Sequence, residues 1–430
     1  MIILVLPLIK VALAFVMILV AIRKKFSLGN SFLMGAIFLG ILFGLDTLQI
    51  LKSIIASGTD PKTVSLAIII GLILILSNSM ERGGQMQRLL DSYRGLISNS
   101  KLNLTLFPAL IGLLPMPGGA VFSAPMVKIL GDHSNLSGAQ LCFVNYWFRH
   151  IWEYWWPLYP GVLLTAVMTD INLAVFVIIM FPLTIAAVSF GRQPIKHLKV
   201  AQKNVGHSRR PSAGPFLKEL IPILIVIVPG LSTGMLITAA FPSFNVAKET
   251  GLIVCLCGAI GWVWYQNHFK KDWVRKIMID PNLLNMFYMV AAILIFKGIL
   301  SDSRAVNAVS DALIAMKVPL LVIVAILPLI VGFIGGITIA FVGSTFPILI
   351  PMIHAMGESQ FMLPYIMVAL VCGFAGVLFS PLHACLILSN AYFHTSLQDV
   401  YRCMWFPCVA LILSALIYYW LLHWGLTWVL

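Results

Sequence analysis

Apolar blocks of transmembrane length alternate with short polar stretches along the whole chain. The clearest blocks span residues 2–22, 31–50, 64–80, 171–190, 220–240, 252–265, 283–300 and 406–422. Each approaches the roughly 20 residues that a helix needs to cross a hydrocarbon core. The blocks run continuously apolar instead of alternating, so they predict helices and not a barrel. The first block contains Lys10 and lacks a small-residue cleavage site, which favours a retained helix over a removable signal peptide.

The sequence resembles itself at an offset of about 220 residues. The stretch from Pro108 to Gly119 aligns with the stretch that begins at Pro328, and the apolar blocks on either side stay in register. We therefore predict two repeats, residues 1–191 and 220–430, joined by a polar linker over residues 192–219.

Each predicted repeat contains segments that are too short to cross a membrane. They read as a re-entrant hairpin, at about residues 104–130 and 319–351, followed by a broken helix, at about 139–166 and 361–390. Each repeat then crosses five times, and an odd number inverts the second repeat relative to the first. The predicted fold class is an all-α polytopic membrane protein with two inverted repeats, about ten transmembrane helices and two re-entrant hairpins.

Composition and charge agree with this topology. Apolar residues make up 60% of the chain, charged residues only 10%, and the formal net charge is +13. If the N-terminus is external, predicted inner segments hold 20 Lys and Arg residues and outer segments hold five. This asymmetry predicts two external termini and a cytoplasmic linker, and it explains the positive charge without a nucleic-acid partner. The seven cysteines show no paired CxxC spacing and are expected in the apolar core.

Four Pro/Gly-rich interruptions mark the candidate site. They are the hairpin turns at residues 115–119 and 335–338 and the helix breaks at residues 156–161 and 379–383. Irregular backbone at membrane depth is tolerated where it lines a cavity, and helix N-termini that meet there favour an anion. A simple helix kink or a close helix contact is the alternative for any single break.

The two repeats differ most in residues 145–153. Arg149 and Glu153 are spaced to pair on one helix face, either to bind substrate or as a structural ion pair. His150 is either a proton acceptor or a satisfied core histidine, and His383 stands inside the second break. Lys297 is either a fixed cation near the site or a side chain that reaches the outer surface.

These observations give a set of candidate residues. The predicted substrate-binding residues are Pro117, Gly118, Gly119, Ser123, Arg149, Glu153, Trp156, Tyr159, Gly336, Thr338, Ser344, Thr345, Ser380 and His383. The predicted ion-coupling residues are Asn78, His150, His383 and Asn390. The hydroxyl groups among them could instead bond their own helices. Nucleotide-binding, metalloprotease and Cys/His metal-ligand motifs are absent from the sequence, so no catalytic residue, metal or cofactor is predicted.

Two motifs carry a resemblance to a known group of transporters. The stretches Leu114-Pro-Met-Pro-Gly-Gly119 and Trp152-Glu-Tyr-Trp-Trp-Pro157, within two hairpin-containing halves, resemble the ion transporter superfamily. This group includes gluconate permeases, dicarboxylate carriers and divalent anion:sodium symporters, and the motifs look closest to an uncharacterised prokaryotic integral membrane family within it. The resemblance implies an elevator-type homodimer in the cytoplasmic (inner) membrane. The Ser-Asn-Thr tripeptides of the divalent anion symporters are absent from both hairpin turns.

The function predicted from these features is secondary active transport. The substrate class is a small organic anion, a carboxylate or a sugar acid, moved by alternating access and coupled to H⁺ or Na⁺ as a symport. Two alternatives from other classes stay open: a membrane-embedded enzyme using Arg149, His150 and Glu153, and an anion channel or exporter. The matched second hairpin, which an enzyme would not need, favours the transporter.

Overall fold

The computed structural model of the protein describes residues 2–93, 96, 99–116, 119–131, 134–197, 212–241, 243–244 and 246–429. Its regular elements over these ranges are helices, with no strand among the described residues. The predicted all-helical class is therefore confirmed. Pro117 and Gly118 of the predicted first hairpin turn lie outside the described residues, as do residues 198–211 of the predicted linker.

The helices form two series with the same order of long and short members. The first series is α1 (Ile2–Arg23), α2 (Leu28–Leu42), α3 (Thr47–Thr59), α4 (Pro61–Arg82), α5 (Gln85–Tyr93), α6 (Ser100–Ile111), α7 (Ala120–Gly131), α8 (Gly138–His150), α9 (Pro160–Thr169) and α10 (Leu173–Gly191). The second is α11 (Gly214–Ala240), α12 (Ala247–Gln266), α13 (Lys271–Met278), α14 (Pro281–Asp302), α15 (Ala305–Ala315), α16 (Leu320–Gly335), α17 (Thr338–Ala355), α18 (Met362–Phe379), α19 (Ala384–Phe393) and α20 (Leu397–Val429). Short 3₁₀ turns follow α10 (Gln193–Ile195) and precede α18 (Ser359–Phe361).

Nine helical stretches of the described residues are long and apolar enough to cross a membrane. Large apolar side chains cover the outward faces of several of them, including Ile178 on α10, Val228 on α11 and Ile417 on α20. A water-soluble protein would bury such surfaces, whereas lipid tails solvate them. The helices therefore support a multi-pass membrane protein.

One predicted span is divided in the structure. The apolar block over residues 31–50 contains the end of α2 and the start of α3 instead of one helix. The break lies where Gly44 adopts a φ of 87° and Asp46 caps α3. The Asp46 carboxylate accepts from the Gln49 backbone amide at 2.7 Å, and the Gln49 side chain accepts from the Asp46 amide at 2.9 Å. This capping box satisfies amides that a continuing helix would have used, and sequence hydropathy alone could not show it.

The helices pack as two groups. The scaffold helices are α1–α5 and α11–α15, and the site helices are α6–α10 and α16–α20. Within each group, a contact between the two series is matched by a contact between the counterparts of the two helices. In the scaffold, α4 packs on α12 and α14 on α2, and α5 packs on α11 and α15 on α1. Among the site helices, α7 packs on α19 and α17 on α9. The two groups meet mainly where α14 and α15 contact α17 and where α4 contacts α9.

Helix ends fall at the predicted interruptions, but one predicted hairpin segment is longer than expected: α17, at 18 residues, is itself long and apolar enough to cross a membrane. The pairs α6/α7 and α16/α17 occupy the predicted hairpins, and α8/α9 and α18/α19 occupy the predicted broken helices. Pro160 starts α9 at a position where a missing backbone donor is harmless, and Gly336 ends α16 with a φ of 65° that favours glycine. The four interruptions place α7, α9, α17 and α19 with their N-terminal ends inside the packed site helices.

Candidate functional site

The Arg149 guanidinium lies where the first hairpin, the first helix break and the second helix break meet. Arg149 is 3% exposed, at the end of α8. Its Nη2 donates to the Met116 carbonyl oxygen at 2.8 Å, and its Nη1 lies 3.5 Å from Cys385 Sγ in the first turn of α19. Gly119 makes room for it, since a Cβ there would come within 2.9 Å of the guanidinium carbon. Arg149 thus contacts the starts of both α7 and α19.

The predicted pair between Arg149 and Glu153 is not formed. Among the described residues, no ion pair joins Arg149 to a carboxylate, and no hydrogen-bond partner reaches its Nε. The physical reason is that α8 ends at His150, so residues 151–155 form turns and Glu153 no longer shares a helix face with Arg149. Arg149 is therefore a buried positive charge without an ion-pair partner among the described residues.

The Glu153 carboxylate reaches the second hairpin instead. Glu153 is 8% exposed and its Oε1 accepts a hydrogen bond of 2.6 Å from the Thr338 hydroxyl. Thr338 is the first residue of α17, whose free amides favour a negative charge. The other carboxylate oxygen, Oε2, lies 3.8 Å from His150 Nε2. Gly161 at the start of α9 packs against Thr338, so α9 and α17 meet here.

Two histidines face each other between the helix breaks. His150 Nδ1 donates to the Tyr146 carbonyl oxygen at 2.6 Å, and His383 Nδ1 donates to the Gly336 carbonyl oxygen at 2.7 Å. The carbonyl partners assign these protons, because a carbonyl oxygen can only accept. The two Nε2 atoms are 3.1 Å apart. His150 and His383, both predicted from the sequence as ion-coupling candidates, are therefore direct neighbours.

Among the described residues, one group of side chains has donor atoms close enough together to hold a metal ion: His150, His383 and Cys385. These atoms all lie within 4.8 Å of one another. Arg149 Nη1 is 3.5 Å from both His150 Nε2 and Cys385 Sγ, so a metal cation would be held beside a fixed positive charge. We assign no metal to these side chains.

The aromatic residues after α8 fix the first hairpin against the first break. Trp156 Nε1 donates to the Leu113 carbonyl oxygen at 3.0 Å, and the Tyr159 hydroxyl donates to the Gly112 carbonyl oxygen at 2.7 Å. These carbonyls stand at the end of α6, where helix termination removes their usual partners. The structure therefore places Trp156 and Tyr159 as supports of the hairpin turn.

The predicted hydroxyl and amide residues are divided between the cluster and other contacts. Ser123, Ser344 and Thr345 are buried and donate to carbonyl oxygens of their own helices. Ser380 accepts from the Leu382 amide at 3.2 Å within the second break. Asn78 lies half-buried on α4, one of the scaffold helices.

Lys297 lies on α14, also a scaffold helix, with its nearest charged neighbours at Lys62, Asp60 and Asp170. Those three residues stand at the α3/α4 junction and just after α9. This position favours the reading in which Lys297 reaches toward a surface, away from Arg149.

A polar contact between α8 and α19 was missed in the sequence analysis. Asn145 Nδ2 donates to the Ala120 carbonyl oxygen at 3.0 Å and to Ser389 Oγ at 2.9 Å. Asn390 Oδ1 accepts from Cys142 Sγ at 3.2 Å. Asn145 Oδ1 and Asn390 Nδ2 are buried, and within the part of the chain that the structure describes neither has a hydrogen-bond partner. The available signal was that Asn145 lies one helical turn before Arg149 on α8.

The cluster is closed in this conformation. Arg149, His150, Glu153, Thr338 and His383 are each less than 9% exposed. An open cavity of about 320 Å³ lies elsewhere, between α6 and the chain after α10, with Lys101, Arg192 and Lys196 in its lining. A solute could reach Arg149 only after the surrounding helices move.

One known family model matches nearly the whole chain. Residues 8–421 match a family model described as a protein of unknown function (DUF401). No curated protein matches the chain.

Proposed function

Because the chain belongs to the DUF401 family of proteins of unknown function, we propose its activity from the site itself: secondary active transport of a small organic anion. The substrate class is a carboxylate or a sugar acid, and transport is driven by an H⁺ or Na⁺ gradient. The proposed location is the cytoplasmic membrane of a prokaryote, with both termini external and with the protein as a homodimer.

The observation that carries this proposal is that the buried Arg149 guanidinium has no ion-pair partner among the described residues. A buried cation without a counter-ion is costly in a protein interior, and an intramembrane charge usually has a functional partner. Arg149 has carbonyl and thiol contacts, an Nε without a partner, and no carboxylate in ion-pair range among the described residues. An anionic ligand would supply the missing charge and accept from Nε.

The helix ends around Arg149 support the same conclusion. The N-termini of α9 and α17 meet beside Glu153, whose carboxylate already occupies that position. The N-termini of α7 and α19 meet beside Arg149, and Asn145 and Asn390 leave unpartnered polar atoms nearby. Corresponding places in the two series thus differ: one holds a resident anion, and the other presents donors for a ligand.

The reciprocal packing of the two series supports alternating access. A contact between a helix of the first series and a helix of the second recurs between their counterparts: α7 packs on α19, and α17 packs on α9. Two inverted repeats related by a pseudo-two-fold axis are expected to give this pattern. In the proposed elevator mechanism the site helices move as a body against the scaffold helices and carry the Arg149 site across the membrane.

The rival enzyme would use Arg149, His150 and Glu153. It gives no role to the second hairpin, although Thr338 of that hairpin contacts Glu153 and Gly336 contacts His383. A channel would need an open polar path at some stage, whereas this cluster is buried between hairpins. Transport with alternating closure accounts for both features.

A thermal-shift screen of purified protein tests the proposal. The panel contains mono- and dicarboxylates, sugar acids, phosphonates and amino acids, and the proteins are wild type, Arg149→Ala and the exposed control Arg402→Ala. At a concentration 100-fold above Kd, a ligand stabilises the folded state by about 2.7 kcal/mol. We expect at least one anion to raise Tm in wild type and Arg402→Ala but not in Arg149→Ala. An unchanged wild-type Tm for every anion, or equal stabilisation of Arg149→Ala, would contradict the proposal.

A further inference from the structure

The two cluster histidines are fixed in one ring orientation each by the main chain. His150 Nδ1 and His383 Nδ1 both donate to carbonyl oxygens, of Tyr146 and Gly336. A neutral imidazole carries only one N–H, so a neutral ring with its proton on Nδ1 has a bare lone pair on Nε2. The Nε2 atoms of the two rings then lie 3.1 Å apart, which is hydrogen-bond distance.

Two bare lone pairs at that distance repel, while a single proton between them makes an N–H···N hydrogen bond. We propose that His150 and His383 share one proton between their Nε2 atoms and that this proton is the coupling ion of the carrier. The second half of this inference rests on the proposed transport function. On loading, a hydronium ion gives its proton to one Nε2 and leaves as water, and the other Nε2 accepts the hydrogen bond. Release on the opposite side reverses the step.

The charged groups around the pair act on this proton in opposite directions. On the turn after α8, Glu153 Oε2 lies 3.8 Å from His150 Nε2 and attracts the added charge. On α8, Arg149 Nη1 lies 3.5 Å from the same nitrogen and opposes it, so the proton is held by the N–H···N bond and by Glu153 together. The other titratable neighbours are Cys385 on α19 and Tyr146 on α8, whose hydroxyl donates to the Leu378 carbonyl oxygen.

The charges also give a reason for coupling. Without proton or substrate, Arg149 and Glu153 carry opposite charges and the site is neutral as a whole. With one proton on the histidine pair and one monovalent anion at Arg149, the site is again neutral. Proton alone or anion alone leaves one net charge in a buried site, which is costly to carry through a low-dielectric membrane. The fully loaded and empty forms therefore cross most easily, which is the requirement for symport.

The pair also joins the two helix breaks. His150 ends α8 in the first series, and His383 directly precedes α19 in the second. A shared proton holds these ends together, and its loss replaces a hydrogen bond with repulsion. Protonation is thereby linked to the packing of the two broken helices against each other.

Nitrogen NMR of ¹⁵N-histidine-labelled full-length protein in lipid nanodiscs tests the shared proton. At pH 8 an isolated imidazole with a pKa of about 6.5 is only roughly 3% protonated. We expect a histidine pair with a protonated Nε2 joined to a second Nε2 by coupling across an N–H···N bond. His150→Gln and His383→Gln should each abolish the coupling across the N–H···N bond, whereas the exposed control His354→Gln should leave it unchanged.

Two outcomes would overturn the inference. The first is a wild-type spectrum that shows no coupling between the two Nε2 atoms at pH 8 or at any lower pH down to about 6, where an imidazole protonates. The second is a stoichiometric metal ion in the purified protein that His150→Gln and His383→Gln both remove. The coupling across the hydrogen bond is measured on wild type, so the test stands even where a Gln variant does not fold.

Dye-loaded proteoliposomes test the coupling and separate it from the transport function. With the panel anion that stabilises the wild-type protein, uptake should acidify the lumen, and His383→Gln should lose the acidification. Anion uptake by wild type without acidification would overturn proton coupling and leave the transporter intact. No uptake of any panel anion would overturn the transport function, while the NMR result would still decide the shared proton.

Discussion

Thr338 donates a 2.6 Å hydrogen bond to the Glu153 carboxylate and thereby ties the second hairpin to the first helix break, across 185 residues of sequence. Both side chains are buried, Thr338 at 4% and Glu153 at 8% exposure. A hydroxyl bond to a buried carboxylate is among the stronger contacts in a protein. The two series are therefore joined at the site by a specific polar contact, and α9 and α17 are expected to move together.

Replacing Thr338 by Val should destabilise the protein. Val has nearly the shape of Thr but cannot donate, so the carboxylate loses a hydrogen bond of about 1.5–3 kcal/mol. Thr338→Ser keeps the donor and should stay closer to wild type. Thermal unfolding in detergent, followed by tryptophan fluorescence, measures both. Equal Tm values for wild type and Thr338→Val would show that this contact does not stabilise the fold.

Gly119→Ala should prevent anion binding although Arg149 is still present. The added Cβ would collide with the guanidinium and displace it from the start of α7. The matched control is Gly258→Ala on α12, where an added Cβ meets nothing within 4 Å. Titration of the stabilising anion by thermal shift compares the two variants. Unchanged affinity in folded Gly119→Ala would mean that the position of Arg149 seen here is not the ligand-binding one.

Cross-linking α17 to α14 should stop transport. Gly343 on α17 packs directly on Ile293 of α14, at the boundary between site and scaffold helices. We expect Gly343→Cys with Ile293→Cys to inactivate the protein after oxidation and to recover after reduction. The control pair, Gly40→Cys with Ile299→Cys, joins α2 to α14, two scaffold helices, where the added Cβ would lie 3.3 Å from Ile299 Cγ2, and it should leave transport intact. Full activity of the oxidised α14–α17 pair would exclude the elevator movement.

Reporter fusions should place the C-terminus outside and the central linker inside. The prediction rests on 20 Lys and Arg residues in one set of segments against five in the other. Fusions after Leu430 should show external activity, and fusions within residues 196–210 should show cytoplasmic activity. A cytoplasmic C-terminus would contradict the five crossings per repeat.

Much of the helical framework was predictable because apolar block length and Pro/Gly interruptions are local signals. The breaks before Ala120 and Ala384 and the start of α9 at Pro160 all follow from such residues. The division of the block over residues 31–50 was not predicted, because a capping box of Asp46 and Gln49 depends on side-chain geometry within an apolar context.

The site was only partly predictable because its contacts join distant segments. Arg149, Glu153, His150 and His383 stood out as polar residues in apolar surroundings. Their true partners, such as Thr338 for Glu153, lie in the other series and have no sequence spacing to reveal them. The i,i+4 pairing of Arg149 with Glu153 failed because helix periodicity was extended past the end of α8 at His150.

Counterflow in proteoliposomes measures whether Arg149 binds an anion that the protein carries across the membrane. Vesicles loaded with the unlabelled stabilising anion are diluted into a trace of the labelled one, with wild type, Arg149→Ala and Arg402→Ala compared. We expect transient accumulation of label with wild type and Arg402→Ala and none with Arg149→Ala. Accumulation at the wild-type rate with Arg149→Ala, or none with a wild-type protein that binds the anion, would contradict the proposed transport.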